Sequence, residues 1–308
     1  MKKLQLAQTL NHNRLDDVWR FVYETLASWI PVHRLDDIHR LYDHTIALYQ
    51  GEVPGYQACK VEYHNLRHTI DVTVATVRLI DGFNLEHSPL GEDLIRETCE
   101  AALLHDVGYI QESSDTEGTG AKYTKTHVGR GVAYLATYAK VLGLEPYERR
   151  GRLIWGTDLA KPWTSIGFAS PQEEKSAALL ATADLLGQMA DRAYLEKLLF
   201  LYYEFREAGF SDYETEFDML KKTLGFYDVI QNRLDTTLSS VYHLATAHFR
   251  TRLGLEANLY IESIEGQKAY LKTVIDDTVN NFRHKLKRLD LEKAPVPAFA
   301  MSLAAPRA

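Results

Sequence analysis

An all-α bundle is the fold class that the sequence predicts, and three observations support it. Apolar residues recur at steps of three and four along most of the 308 residues, which is the spacing of amphipathic helices. Alternation of β-branched residues is weak, and no segment carries a hairpin signal. Apolar residues make up 45% of the chain, enough to bury a sizeable core. We therefore expect one domain over residues 1–290, followed by a frayed Pro- and Ala-containing tail over residues 291–308.

The helices predicted for the first half of the chain are separated by proline and glycine. Leu15, Val18 and Val22 begin an apolar stripe at helical spacing, which Pro31 interrupts. The next amphipathic segment ends at Gly51, and a short loop then precedes two further periodic segments. The helices predicted for this half span residues 15–30, 34–50, 64–82 and 93–107.

A polar, glycine-containing stretch over residues 111–124 follows, and we interpret it as a loop near the functional site. Helical periodicity resumes after this loop and continues almost to the C-terminus, without an internal repeat or a strong linker. The helices predicted for this half span residues 126–142, 146–156, 172–190, 192–207, 214–230, 231–252 and 262–288.

Composition and charge exclude several classes of protein. The formal net charge is -7 and no long Lys/Arg cluster is present, so nucleic acid is not expected as a partner. No apolar run approaches the ~20 residues of a membrane helix, so no membrane association is expected. Cys59 and Cys99 are isolated, which argues against a disulfide framework. The N-terminal segment lacks the apolar core of a signal peptide, and we predict a cytoplasmic protein.

Two motifs contain histidine and aspartate residues in apolar helical segments, and a bound metal would account for their presence there. YHNLRHTIDV puts His64 and His68 four residues apart, on one face of a predicted helix, with Asp71 three residues further on. In AALLHDVGY, His105 and Asp106 end an apolar helix. Burying an unpaired carboxylate is costly, and a bound metal removes that cost. These residues are therefore candidates for a metal site.

A third candidate lies in AALLATADLLGQMADR, where Asp184 interrupts an otherwise apolar helix. Taken alone, Asp184 is equally well explained by an ion pair at a buried edge. Together with the histidine motifs it becomes the last ligand of a mixed N/O site. Such a site suits one or two divalent ions and does not distinguish Mn, Fe, Zn and Mg. His127, after the polar loop, is either a further ligand for a second ion or an ordinary surface histidine.

The combination of an early His, a His-Asp pair and a distant Asp resembles the HD superfamily of metal phosphohydrolases. The first motif is similar to that of class I cyclic-nucleotide phosphodiesterases, and Thr69 departs from it. The resemblance implies an HD-domain-like helical bundle with the metal site between helices, in a core of about residues 60–190. It implies that His64 is the general acid. The metal ligands that it implies are His68, His105, Asp106 and Asp184.

Other features of the phosphodiesterases are matched less closely. Thr157 and Asp158 resemble a Thr-Asp stretch of that family, and Gln267 and Tyr270 have the spacing of its base-binding segment. After the His-Asp pair, however, the chain reads HDVGYIQESSD rather than the family's second Asp and His-Pro-Gly stretch, which is closer to bacterial HD proteins. The resemblance to the phosphodiesterases therefore supports the chemistry of the metal centre better than it supports the identity of the substrate.

The residues predict a mechanism and leave several functions open. A metal lowers the pKa of bound water, and His64 would protonate the leaving alkoxide. Asp71 either orients a ligand imidazole or only interacts with the helix dipole. We expect a metal-dependent phosphohydrolase acting on a small, nucleotide-like phosphoester. One alternative is a nucleotide or alarmone phosphohydrolase. The other is a metal-binding sensor or scaffold without turnover. His64 argues against the sensor or scaffold, because a protein without turnover has no use for a general acid.

Overall fold

The structure, a computed structural model, describes residues 4–289 and 291, and in this range it is built from helices. A single isolated β-bridge joins Tyr56 to Glu112, and no strand forms within the described range. The predicted all-α class is therefore confirmed. The predicted tail lies outside the described residues except for Leu291. The α-helices are α1 (Leu15–Leu26), α2 (Val32–Gln50), α3 (Leu66–Glu86), α4 (Glu92–Leu104), α5 (His127–Leu142), α6 (Glu148–Trp155), α7 (Pro171–Met189), α8 (Tyr194–Glu207), α9 (Glu216–Asp235), α10 (Ala245–Leu253) and α11 (Leu259–Asp276).

Helix α3 lies at the centre of the bundle and packs against α1, α4, α7 and α10. It is buried on all sides from His68 to Gly82, polar and charged side chains included. It runs closest to α7 at Gly187, where an added Cβ would lie 3.1 Å from the backbone nitrogen of Val72. The helices that carry the candidate ligands thus form the core, which draws apolar side chains from all eleven helices. No helix in the described part of the chain is long and apolar enough to cross a bilayer.

Two predicted helices differ from the structure. The helix predicted over 231–252 is interrupted, because α9 ends at Asp235 and α10 begins only at Ala245. Ser239 and Ser240 have φ of 53° and 56° in the turn between them. Apolar spacing continues on both sides of this turn, and no glycine or proline marks it. The helix predicted over 262–288 starts earlier, because the Asn258 side chain caps Leu259–Asp276, and it ends twelve residues sooner.

Gly108 allows the segment after the His-Asp pair to lie directly against the start of α5. A Cβ at this position would come within 1.9 Å of the His127 carbonyl oxygen, a contact that requires backbone movement. We expect Gly108→Ala to lower the free energy of unfolding by about 2 kcal/mol or more, measured by urea denaturation.

A matched control is Gly225→Ala on α9, where an added Cβ meets no atom within 4 Å. This change should raise the free energy of unfolding by about 0.5–1 kcal/mol, because it removes backbone freedom from the unfolded chain. Equal effects of the two substitutions would contradict the packing described at Gly108.

Candidate metal centre

The first ligand candidate is placed by the start of α3. The Asn65 side chain caps this helix by accepting a hydrogen bond of 3.2 Å from the backbone nitrogen of His68. His68 therefore lies in the first turn, with its ring buried. His64 precedes the helix, so the prediction that both histidines share one helical face is wrong. Their rings are nevertheless neighbours, with centroids 5.8 Å apart.

The His-Asp pair directly follows α4, where the helix ends at Leu104. Nδ1 of His105 donates a hydrogen bond of 2.8 Å to the carbonyl oxygen of Ala102. In the neutral ring this leaves the lone pair on Nε2, which faces Asp106. Both side chains are buried, so the end of α4 presents a nitrogen and a carboxylate to the interior of the bundle.

Four side chains from α3, α7 and the end of α4 meet at one point. Nε2 of His68 lies 3.2 Å from Oδ1 of Asp184 and 3.3 Å from Oδ2 of Asp106. Nε2 of His105 lies 3.3 Å from that Asp106 oxygen, 3.3 Å from Nε2 of His68 and 3.8 Å from Oδ1 of Asp184. Gln188, one turn after Asp184, donates a hydrogen bond of 2.7 Å to the same Asp184 oxygen.

The donor set fits a divalent metal ion. Nε2 of His68 and Nε2 of His105 lie 3.2–3.8 Å from the carboxylate oxygens of Asp106 and Asp184, a spacing that fits ligands around an ion at about 2.0–2.2 Å from each. Oδ2 of Asp106 is buried and has no hydrogen bond of acceptable geometry, although it lies beside both imidazoles. A cation between the two imidazoles and the carboxylates would be bound by their lone pairs. The buried group formed by His68, His105 and Asp184 can therefore hold a metal ion.

His127, the first residue of α5, lies on the other side of Asp106. Its Nε2 is 3.5 Å from Oδ1 of Asp106, the oxygen that faces away from His68 and His105. Nδ1 of His127 donates to the carbonyl oxygen of Thr124 at 2.7 Å, which leaves Nε2 without a proton in the neutral ring. Burial lowers the pKa of His127, so the neutral ring is favoured. A second group of donors therefore adjoins the first through the carboxylate of Asp106.

A buried carboxylate that the sequence analysis did not identify holds His64. Nδ1 of His64 donates a hydrogen bond of 2.8 Å to Oε2 of Glu204 on α8. The other Glu204 oxygen accepts from the backbone nitrogen of Tyr63 at 2.7 Å, so the carboxylate is fixed. The His64 ring stacks on Tyr109 with centroids 4.4 Å apart. Glu204 could have been noticed as a lone carboxylate in the apolar stripe LLFLYYEF, the same signal that singled out Asp184.

Asp71 lies outside this cluster. Oδ1 of Asp71 accepts a hydrogen bond of 2.8 Å from Nε of Arg67 and another from His12. Burial alone would raise the pKa of Asp71, but these two partners hold it at about 2. Asp71 lines a separate cavity of about 390 Å³ beside the N-terminal segment. Among the described contacts of its carboxylate none involves His68, so its expected role as the partner of a ligand imidazole is not supported.

The predicted base-binding pair is also placed elsewhere. The amide nitrogen of Gln267 donates to the carbonyl oxygens of Asp191 and Arg192, and its oxygen accepts from Arg288. The hydroxyl of Tyr270 donates to a backbone carbonyl at 2.6 Å. Gln267 is buried and fully engaged in holding the turn between α7 and α8, so it is not available to read a base.

The metal cluster opens into a cavity of about 510 Å³, within the range of small-molecule sites. The side chains of His64, His127, Asp106 and Asp184 are among those that line it. The segment 157–160, which contains the Thr157 and Asp158 singled out in the sequence, lines another side. The cavity therefore gives a small molecule access to both the donor cluster and His64.

Metal binding at this cluster should release protons. Burial alone would lower the pKa of His68, but the carboxylates of Asp106 and Asp184 raise it to about 9 in the metal-free protein. Below that pH the ion must displace the proton, so we expect metal affinity to rise up to tenfold per pH unit from pH 6 and to level off near pH 9. Titration calorimetry with Mn²⁺ in buffers of different ionisation enthalpy measures the protons released. Binding without proton release, or affinity independent of pH, would contradict the assignment of His68 as a ligand.

Comparison with known proteins touches only part of this site. A family model described as Npun_R2479-like matches residues 166–260, which is less than a third of the chain. The matched segment begins just before α7 and ends at the start of α11, so it contains Asp184 and Glu204 but none of the histidines of the centre. No curated protein and no solved structure matches the chain. The likeness thus concerns the segment from α7 to α10, of which α7, α8 and α9 contribute residues to the cavity.

Proposed function

We propose that this protein is a metal-dependent phosphohydrolase of the HD type. The observation that carries the proposal is the convergence of two imidazoles and two carboxylates beside His64, next to a cavity of small-molecule size. The residue string that resembles the HD superfamily supplies every member of this cluster. The buried Oδ2 of Asp106, which lacks a hydrogen-bond partner beside two buried imidazoles, also supports the proposal.

In this proposal His68, His105, Asp106 and Asp184 hold one ion. Oδ1 of Asp106 and Nε2 of His127 provide donors for a second ion, which Asp106 would share with the first. When bound, a divalent metal supplies hydroxide near neutral pH and polarises the phosphoryl oxygens. Gln188 fixes the carboxylate of Asp184 through its amide, so the ligand is oriented before the ion arrives.

His64 moves the proton in this proposal. Glu204 accepts a hydrogen bond from Nδ1, so the orientation of the ring is fixed. Nε2 is then the nitrogen left to donate a proton towards the cavity. An acid in this position suits the departure of an alkoxide, which is a poor leaving group unless it is protonated.

The test is reconstitution of the purified full chain. The protein is stripped with a chelator and reloaded separately with Mn²⁺, Fe²⁺, Zn²⁺ or Mg²⁺. Phosphate release or ester cleavage is then measured on cyclic nucleotides, nucleotides and simple phosphoesters. We expect turnover that depends on at least one metal and is lost on renewed chelation. Stoichiometric metal binding without turnover on any of these esters would overturn the proposal and favour a metal-binding sensor.

A further inference from the structure

The cavity extends away from the metal centre between two helices that present apolar faces to it. From α8 the side chains of Leu198, Leu201 and Phe205 line the cavity, at steps of three and four residues that keep them on one face. From α9, Met219, Thr223 and Phe226 do so along one face, and the Thr223 hydroxyl donates a hydrogen bond to the carbonyl oxygen of Met219. This part of the cavity is therefore a largely apolar slot between α8 and α9.

The loop between these helices closes the slot with aromatic rings. Phe210 and Tyr213 line the cavity from this loop, and their rings lie 4.9 Å and 5.8 Å from that of Phe205. The ammonium group of Lys125 lies 4.5 Å from the centre of the Phe210 ring. This wall of the cavity thus consists of adjoining aromatic rings with one cation beside them.

The polar groups of the cavity do not suit a polyphosphate. Among the described residues that line it, Lys125 contributes the one ammonium group and no arginine is present, whereas Asp106, Asp158 and Asp184 contribute carboxylates. Bound di- and triphosphates are held by several cationic groups or backbone amides in addition to the metal. A single phosphate at the metal centre needs no further cation.

The cavity also offers little for reading a nucleobase. The amide of Gln188 lines it, but its nitrogen donates to Asp184 and its oxygen accepts from the hydroxyl of Tyr63. Both ends of this amide are therefore already held within the protein. An apolar group entering the slot gains from burial.

We propose that the substrate is a phosphoester that carries one phosphate and an apolar organic group. The phosphate lies at the metal centre beside His64, and the apolar group lies in the slot between α8 and α9. This inference rests on the proposed hydrolase function and narrows its substrate class. It differs from the nucleotide-like substrate that the sequence suggested.

The first test compares esters that differ only in apolar length. Methyl, butyl and hexyl phosphates, and the corresponding methyl alkyl phosphodiesters, have alkoxide leaving groups of similar reactivity. With the metal-loaded protein we expect kcat/KM to rise about threefold to fourfold per methylene until the slot is filled, and to exceed that for AMP and ATP. A series that is flat with chain length, or a preference for AMP or ATP over hexyl phosphate, would overturn the inference.

Variants at partly exposed positions locate the effect without disturbing the core. Leu159 and Phe226 line the cavity and are 50% and 37% exposed. Leu159→Ser and Phe226→Ser should each lower the ratio of kcat/KM for hexyl over methyl phosphate by up to about tenfold. The control is Val229→Ser, one turn further along α9, which is 64% exposed and does not line the cavity. An unchanged ratio in both cavity variants, or an equal fall in the control, would contradict the assignment of the slot.

Alkylphosphonates separate this inference from the function on which it rests. They resist hydrolysis, so their affinity for the metal-loaded protein reports binding alone. If affinity rises with chain length but no ester is turned over, the hydrolase function is wrong. The inference that the cavity binds an apolar phosphate compound would then still hold. If all esters are turned over and neither rate nor affinity depends on chain length, the hydrolase function still holds. The inference of an apolar substrate class would then be wrong.

Discussion

Replacing Asp106 with asparagine is expected to remove the metal and, with it, turnover. Oδ2 of Asp106 lies 3.3 Å from the Nε2 atoms of both His68 and His105, and Oδ1 lies 3.5 Å from Nε2 of His127. The substitution keeps the shape of the side chain and removes its charge, so the three imidazoles lose their shared anionic neighbour. We expect loss of stoichiometric metal, measured by elemental analysis, and a fall in turnover on the order of 10³-fold or more.

The matched control is Asp71→Asn. Asp71 is also a buried carboxylate, but its partners are Arg67 and His12. This variant should retain the metal content of the parent protein, even if it is less stable. Loss of metal in the Asp71 variant, or full metal content in the Asp106 variant, would show that the ligands have been assigned incorrectly.

Replacing His64 with alanine should separate proton transfer from metal binding. The contacts that hold His64 run to Glu204 and Tyr109, so metal content should be unchanged. Turnover of an alkyl phosphate should fall about 10²–10⁴-fold, the usual contribution of a positioned acid. The loss should be much smaller with a nitrophenyl ester, because that leaving group departs without protonation. Parallel assays of the two esters, with metal analysis of each preparation, measure this contrast.

An exposed histidine provides the control for general effects of histidine removal. His33→Ala, at the start of α2, should leave metal content and the turnover of both esters as they are in the parent protein. If His64→Ala lost metal, or lost activity equally on both esters, His64 would be a ligand or a packing residue. The proposed proton transfer would then be wrong, while the metal cluster would still stand.

The residues of the cluster could be identified from the sequence because titratable side chains are unusual in apolar helical segments. His105, Asp106 and Asp184 follow or interrupt apolar helices, where a charged or titratable group needs a partner. That signal is local, so it can be read along the chain. The helical class was accessible for a similar reason, since apolar spacing repeats over short distances.

The direction in which each side chain of α3 points could not be predicted from the local sequence. Asp71 follows His68 by three residues, which rotates it by about 60° around the helix. On a helix with one buried face and one solvent-exposed face, two residues 60° apart can still lie on the same face. On α3, which is buried on all sides, it is enough to place Asp71 in a different cavity from His68. The packing of the neighbouring helices decides this, and apolar periodicity carries no information about it.

Chemistry that depends on distant segments was decided by the tertiary structure as well. His64 and Glu204 are 140 residues apart, and no spacing rule relates them. Gln267 has a suitable spacing from Tyr270, yet the turn between α7 and α8 occupies its amide. The sequence by itself therefore determined the helical class and which residues could hold a metal. Only the folded chain decided which carboxylate orients His64 and which apolar faces form the cavity, because these contacts arise from the packing of helices that are far apart in the sequence.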